Sequence, residues 1–586
     1  MARNRPRLTR RRLLLGGASA AALSAMAGGV AWQRRGDSNG RPLPASTPGP
    51  SPAPSATATP LPRGGVARLV ATARFNFDTF DSLKTGEPSV VDVLGRTHSR
   101  LVQWADFAAA RLDGDLASAS ERPDRLTWIL HLDPAARWQD SPPVNGRPVT
   151  ADDIVQHLSR TLAIANSGPQ PGVQRATDYL SIRRVTAPAA DRVVIETSRP
   201  DPFLAGTLAG RVALVQAPEA VAAFEKSWHE HRPDQVMGSG PFQLVAHDRD
   251  GTLRFRAHVR GHRQPLLDGL AVSEPFDEVE RFVRKEVDEI LTRDRRDAAR
   301  VRAAAPGASE RPRFEESPVI STFFVGAPPW DNPELRRALS GALNRHELSR
   351  RLFGGRAEPS ARVAPVWPEF APSETDLARY PGYRTSFEDD AREARARWQA
   401  AGAPAFGPVT VDFPAIFDPL YSASSVVVGM LNEILGAQFR AAVDSYQAIS
   451  RKAIEHRYGN GNAAFWFGWG PLFVGADPSR FLDETYHSSG PGFATTGFRS
   501  AEVDRALDAI SGEFDLPVRK EMVKRLALAL LDAGGGGVID WLAQRAEVFR
   551  QPYYQATPPS PFWDQHLDVA AYLDSADPSF ESRPTT

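Results

Sequence analysis

The run Ala464-Phe465-Trp466-Phe467-Gly468-Trp469-Gly470-Pro471-Leu472-Phe473 places five aromatic rings in ten residues. Rings at that density suit stacking on a flat or weakly charged solute, such as a sugar or an aromatic group. Strand alternation makes Trp466 and Trp469 the leading cleft-lining pair, expected on one face. For Phe465 and Phe467 the competing reading is a buried strand whose rings fill core. Gly470, Leu472 and Phe473 complete this candidate ligand site. Phe75 and Asn76 are added from the loop Arg74-Phe75-Asn76-Phe77-Asp78, because open α/β sheets bind ligands at the carboxyl ends of their strands.

Other groupings point away from chemistry on a substrate. The sequence has no cysteine, which removes disulfides, thiolate metal sites and a thiol nucleophile together. His229-Glu230-His231 could hold a metal on an extended chain, but a surface segment of this kind is ordinarily solvated. Gly534 to Gly537 lacks the Lys-Ser/Thr of a phosphate loop and reads as a turn after a helix. Ser239 between two glycines is not a nucleophile elbow, which needs G-x-S-x-G and a histidine partner. No Ser/His/Asp set or paired carboxylate stands out, so the expectation is a binding protein with no catalytic residues, no cofactor and no metal.

The elements that must position these residues alternate in type. Val66 to Val70 alternates in the strand period, and Thr127 to Leu132 and Arg192 to Thr197 read as further strands. Thr150 caps a helix with Asp153 three residues on. Asn332 and Pro333 begin a second helix, and Ser500 begins a third. The chain is therefore mixed α/β, and 586 residues exceed what one core usually organises. Lys plus Arg and Asp plus Glu balance at 70 each, so no global field favours nucleic acid or an anionic membrane. Hydrophobic residues at 42% and charged residues at 24% are the composition of a globular body, not of a multi-span membrane protein.

The N-terminus reads as an export address. Residues 1 to 12 hold six arginines and no acid, and the run from Leu13 to Trp32 is uncharged. Thr9-Arg10-Arg11-Arg12-Leu13-Leu14 resembles the twin-arginine motif, with a general secretory signal as the plainer reading. Twenty residues at about 1.5 Å each reach roughly 30 Å, so an uncut segment could anchor the chain. Residues 1 to 36 are thus a signal or anchor. Residues 37 to 63, rich in Pro, Ser and Thr, form a disordered linker.

Several collinear segments then resemble family 5 of the ABC-transporter solute-binding proteins, the peptide, nickel and oligosaccharide class. They are Trp138-Gln139-Asp140 with Pro142 to Ile154, Gly238-Ser239-Gly240-Pro241-Phe242, Val287-Asp288, Pro328 to Leu339, Gly468-Trp469, and Asp477-Pro478 with the Asp515 to Arg519 spacing. Departures occur at Arg256 to His262 and at Asn344-Arg345. The resemblance implies an α/β, two-lobe periplasmic-binding-protein-like fold, type II, of the large class with an extra subdomain in the first lobe. The implied bounds are 64–105 and 236–325 for lobe I, 106–235 for the insert, 326–545 for lobe II, and 546–586 for the return and tail. Val287-Asp288 falls where the family has a short strand ending in Asp. The implied function is an extracytoplasmic receptor, monomeric, that hands a small or short oligomeric ligand to an ABC permease and meets the membrane only through its N-terminal segment. Peptide receptors of the family carry an aspartate for the peptide's amino group where this chain has Leu472, and no acid lies between Trp469 and Asp477. Burying an unpaired amine costs several kcal/mol. The resemblance therefore favours an oligosaccharide, modified peptide or aromatic solute. The alternatives are an oligopeptide receptor with an atypical anchor and a two-lobe sensor without a transporter.

Overall fold

The computed structural model describes residues 60–584 apart from 72–73, 86, 168–174, 385, 404–406, 416–419, 437–438, 471–474 and 558–566. The signal and most of the linker, and with them Leu472 and Phe473, lie outside the described residues. Among those described, no helix is long and apolar enough to cross a membrane.

One eleven-stranded sheet runs through the body. On its first side Val66–Val70 lies parallel to Gly269–Ser273, which continues antiparallel to Leu253–Ala257 and then Phe242–His247. On its second side Ala464–Trp469 lies parallel to Val409–Pro414, which is parallel in turn to Phe439–Asp444. Two long antiparallel strands, Ser309–Thr322 and Val538–Arg550, join the sides. The Arg550 end of Val538–Arg550 pairs with the first side through Glu289–Thr292, and the Thr322 end of Ser309–Thr322 pairs with Ala464–Trp469 on the second. The register slips between Phe314 and Pro318, at the middle of the crossing. A proline cannot donate to the ladder, and a bulge tolerates it. The chain thus passes from lobe to lobe on one strand and returns on its neighbour.

Each side has its own core. Leu69, Val93, Leu130, Ile195, Phe242 and Val272 belong to one buried cluster, and Leu339, Val411, Phe467 and Trp541 to another. A fully buried side chain of this kind contributes about 1.5–3 kcal/mol. The insert carries its own sheet, ordered Ala117–Glu121, Thr127–Leu132, Arg192–Thr197, Ile182–Ala189, yet its inner face joins the first cluster. A third cluster spans the lobes, packing Trp104 and Ala110 against Val363, Trp367, Phe481 and Leu526.

The sequence signals are met by local chemistry. Thr150 and Asp153 form a capping box at Ala151–Asn166, and Asn332 Oδ1 accepts from Glu334 N–H at the start of Pro333–Ala342. Asp153 also takes the Trp138 indole N–H at 3.1 Å and pairs with Arg147 at 2.7 Å. Gln139, wholly buried, donates to Thr97 O at 3.0 Å and Phe242 O at 2.7 Å, and accepts from Gly238 N–H at 3.1 Å. A Cβ on Gly238 would sit 2.2 Å from Thr97 O, so only glycine lets this turn close on the helix Pro88–Thr97. The Gly534–Gly537 run is a tight turn with positive φ throughout, leading into Val538–Arg550. One expectation shifts: Asp288 precedes its strand, Glu289–Thr292, and does not end it. It is buried there, accepting from Arg68 N–H at 2.7 Å, Tyr553 Oη at 3.0 Å and Arg583.

Candidate functional site

Two cavities lie between the lobes, on either side of Trp104. The first, about 290 Å³, draws Arg122, Trp128, Arg175, Tyr179 and Phe203 from the insert, and Asp477, Arg480, Phe514 and Arg519 from the second lobe. The second, about 1050 Å³, opens onto the crossing strands through Arg313, Phe314 and Arg545 and is closed by the proline-rich stretch from Pro359 to Pro372. Sites for small solutes span about 300–1,000 Å³ and combine apolar walls with a few fixed polar groups. The Trp104 ring sits against Gly206 on its own side and Gly475 on the other.

The charges of the first cavity are largely committed to one another. Arg175 pairs with Asp178 at 2.6 Å and reaches Glu484 of the opposite lobe at 2.8 Å. Arg480 crosses in the other direction to Asp201 at 3.2 Å. Burial works against both guanidinium charges, but the carboxylates outweigh it and raise both pKa values. Asp477 accepts from Arg519 and from Ser479 N–H, both at 2.9 Å. The Tyr179 phenol lines the wall, and burial pushes its pKa up, so it stays protonated. These pairs hold the lobes together across the cavity.

The described residues that sequence alone assigned to the site fall elsewhere. Trp466 is 3% exposed and packs with Ile320, Ile449 and Tyr458, so it is core and not a cleft wall. Trp469 is not on the same face: an odd separation of three reverses the side chain in a strand. It rests against the second-lobe core beside Phe353, with ring centroids 6.3 Å apart, and among the described residues its indole N–H has no hydrogen-bond partner. Phe465 and Phe467 are buried in that core, the filler role weighed for them. Gly470 is buried, its N–H donating to Pro318 O at 2.8 Å. Phe75 stacks on Phe77 at 5.4 Å, and Asn76 exchanges hydrogen bonds with Ser89, next to the cavity residue Pro88. None of Phe75, Asn76, Trp466, Trp469 and Gly470 is among the residues lining the two cavities.

His229 is exposed, while His231 bonds the Asp78 carbonyl at 3.1 Å through Nε2. Among the described residues no cluster of His, Asp and Glu is placed to hold a metal. The lining residues Trp104, Arg122, Arg175, Phe203, Arg480 and Phe514 come from separate segments with no shared period, so nothing in their spacing announces them. Asp477 and Arg519 belong to segments that carry the family resemblance and turn out to line the cavity as well.

Known proteins share this arrangement of two lobes about a cavity. Residues 111–493 match the model of bacterial extracellular solute-binding proteins, family 5, and the chain belongs to that family. It is 22% identical over 294 residues to the periplasmic oligopeptide-binding protein OppA of Haemophilus influenzae, covering 46% of this chain and 51% of that one. The chain spans about half the length of the curated relatives it matches. The fold is that of the ABC transporter substrate-binding protein CtaP of Listeria monocytogenes, with a TM-score of 0.71 at 17% identity, over 88% of this chain and 100% of that one. It is equally that of DppA of Helicobacter pylori in complex with the peptide STSA, with a TM-score of 0.68 at 14% identity, over 88% and 99%.

Proposed function

We propose that this protein captures a small solute between its lobes outside the cytoplasm and delivers it to an ABC importer, without chemistry on the solute. The observation that carries this reading is the first cavity, walled by both lobes and spanned by ion pairs that exist only when the lobes meet. A ligand shifts such an equilibrium by its differential binding to the closed form, which a permease can then read. The relatives named above are peptide and substrate receptors, which places peptides among the candidates. The missing acid between Trp469 and Asp477, and the engagement of Asp477 with Arg519, favour solutes without a free amino terminus: modified peptides, oligosaccharides or aromatic solutes. The N-terminal arginines and uncharged run serve export, cleaved or kept as a tether, and one copy is the working unit.

Calorimetric titration with di- to pentapeptides, their N-acetylated forms, xylo-oligosaccharides and aromatic acids tests the reading. Saturable one-to-one binding with the solute recovered unchanged is the expected result. Turnover of a bound solute would contradict it.

A further inference from the structure

Arg122 is the arginine of the first cavity that the internal pairing leaves over. Its guanidinium carbon stands 4.4 Å from the ring centroid of Trp128, its neighbour in the insert, and 4.4 Å from that of Phe514 across the interlobe gap. Among the described residues it makes no ion pair and no hydrogen bond. Nearby acids are spent elsewhere: Glu121 on His131 at 2.7 Å, and Asp124 on Leu126 N–H at 2.7 Å and Thr127 Oγ1 at 3.1 Å. Arg125 adds a second cation, 5.6 Å from the Phe514 ring.

The cavity's own carboxylates balance the other way. Asp178 and Asp477 are the acids on its wall, and each already holds an arginine. Among the described residues, an ammonium entering the cavity meets no uncommitted acid, while an anion meets the uncommitted guanidinium of Arg122. Partial loss of hydration between the rings, and then the charge of Arg519, lower the Arg122 pKa, and an approaching anion relieves both. A guanidinium packed over rings keeps its in-plane N–H fork, which matches a carboxylate in two parallel hydrogen bonds.

We infer that Arg122, framed by Trp128 and Phe514, is an anion subsite of the interlobe cavity, and that the solute this protein takes carries a carboxylate at the end facing the insert. The inference rests on the solute-capture reading above and narrows it to acids. Because Arg122 is exposed at the cavity mouth and Phe514 belongs to the other lobe, the bound carboxylate would also reinforce closure.

Matched acid and amide probes test it by calorimetry on the whole exported chain: benzoate and benzamide, glucuronate and glucuronamide, and N-acetyl-alanyl-alanine with its C-terminal amide. On the wild type at least one acid should saturate the site, with its amide roughly tenfold to a hundredfold weaker. Arg122→Met should remove that preference by weakening the acid and leaving the amide unchanged, with Arg122→Lys in between. Thermal melts of each variant confirm folding, which an exposed side chain should not affect. Equal binding of acid and amide, or a preference that survives Arg122→Met, overturns the anion subsite. So does the absence of saturable binding by every acid. Phe203→Leu separates the two levels: amide binding that it weakens keeps the cavity as the solute site while the subsite fails. Binding indifferent to both Phe203→Leu and Arg122→Met refutes the cavity as well.

Discussion

His157 shows how far one side chain of the insert is constrained by its surroundings. It is buried at 7% exposure, and its Nδ1 accepts from Gln216 N–H at 3.4 Å. Burial, and then the charge of Arg160, hold its pKa down to about 4, so it folds neutral. An unfolded chain binds a proton at His157 near pH 6.5 while the folded one does not. Stability from this group is therefore complete above about pH 6.5 and is lost as pH falls toward 4, about 3 kcal/mol in all. Urea denaturation at steps from pH 7.5 to 4 should show a steeper decline for the wild type than for His157→Asn. Parallel curves would mean that His157 already titrates in the folded protein. At this same scale the site was only partly legible in the sequence. The aromatic run at 464–473 was visible, but three of its rings, Phe465, Trp466 and Phe467, went to core, because a strand interior to a sheet buries both faces. Arg122 and Phe514 could not be paired from sequence, since 392 positions separate two residues that only the closing of the lobes brings together.

Among the elements, those with strong local chemistry were legible and those defined by partners were not. The helices starting at Ala151, Pro333 and Ala501 follow from cap residues that satisfy their own first turns. The strands Val66–Val70, Thr127–Leu132 and Arg192–Thr197 follow from alternation. The long crossing strand Ser309–Thr322 was missed, because prolines 312 and 318 interrupt any strand pattern and the ladder resumes at Pro318 only after a register shift from Phe314. The stretch Trp138 to Ile154, which carries part of the family resemblance, proves to be a folding device: its tryptophan, glutamine and aspartate knit the insert to the turn at Gly238 and the helix Pro88–Thr97. Gly238→Ala should accordingly cost about 1–3 kcal/mol, the usual penalty for overpacking against backbone that cannot yield. A melting temperature within a degree of the wild type would show that the turn relaxes freely.

For the whole molecule the account turns on two lobes that close over a solute and are held by ions from both. Arg175 to Glu484 is one such tie, with side chains only 20% and 25% exposed. Glu484→Gln should lower the preference for the closed form by about 1–3 kcal/mol, because the Arg175 charge loses a partly buried partner. Solution scattering would register this as a larger radius of gyration, and solute affinity should fall by the same factor. The most direct measurement is a crystal structure of the exported protein with the solute that remains bound through purification. The account predicts that solute between the lobes, in contact with Trp128, Phe203 and Phe514 and with a carboxylate on Arg122. A solute bound on the outer surface of one lobe, away from these residues, would contradict it.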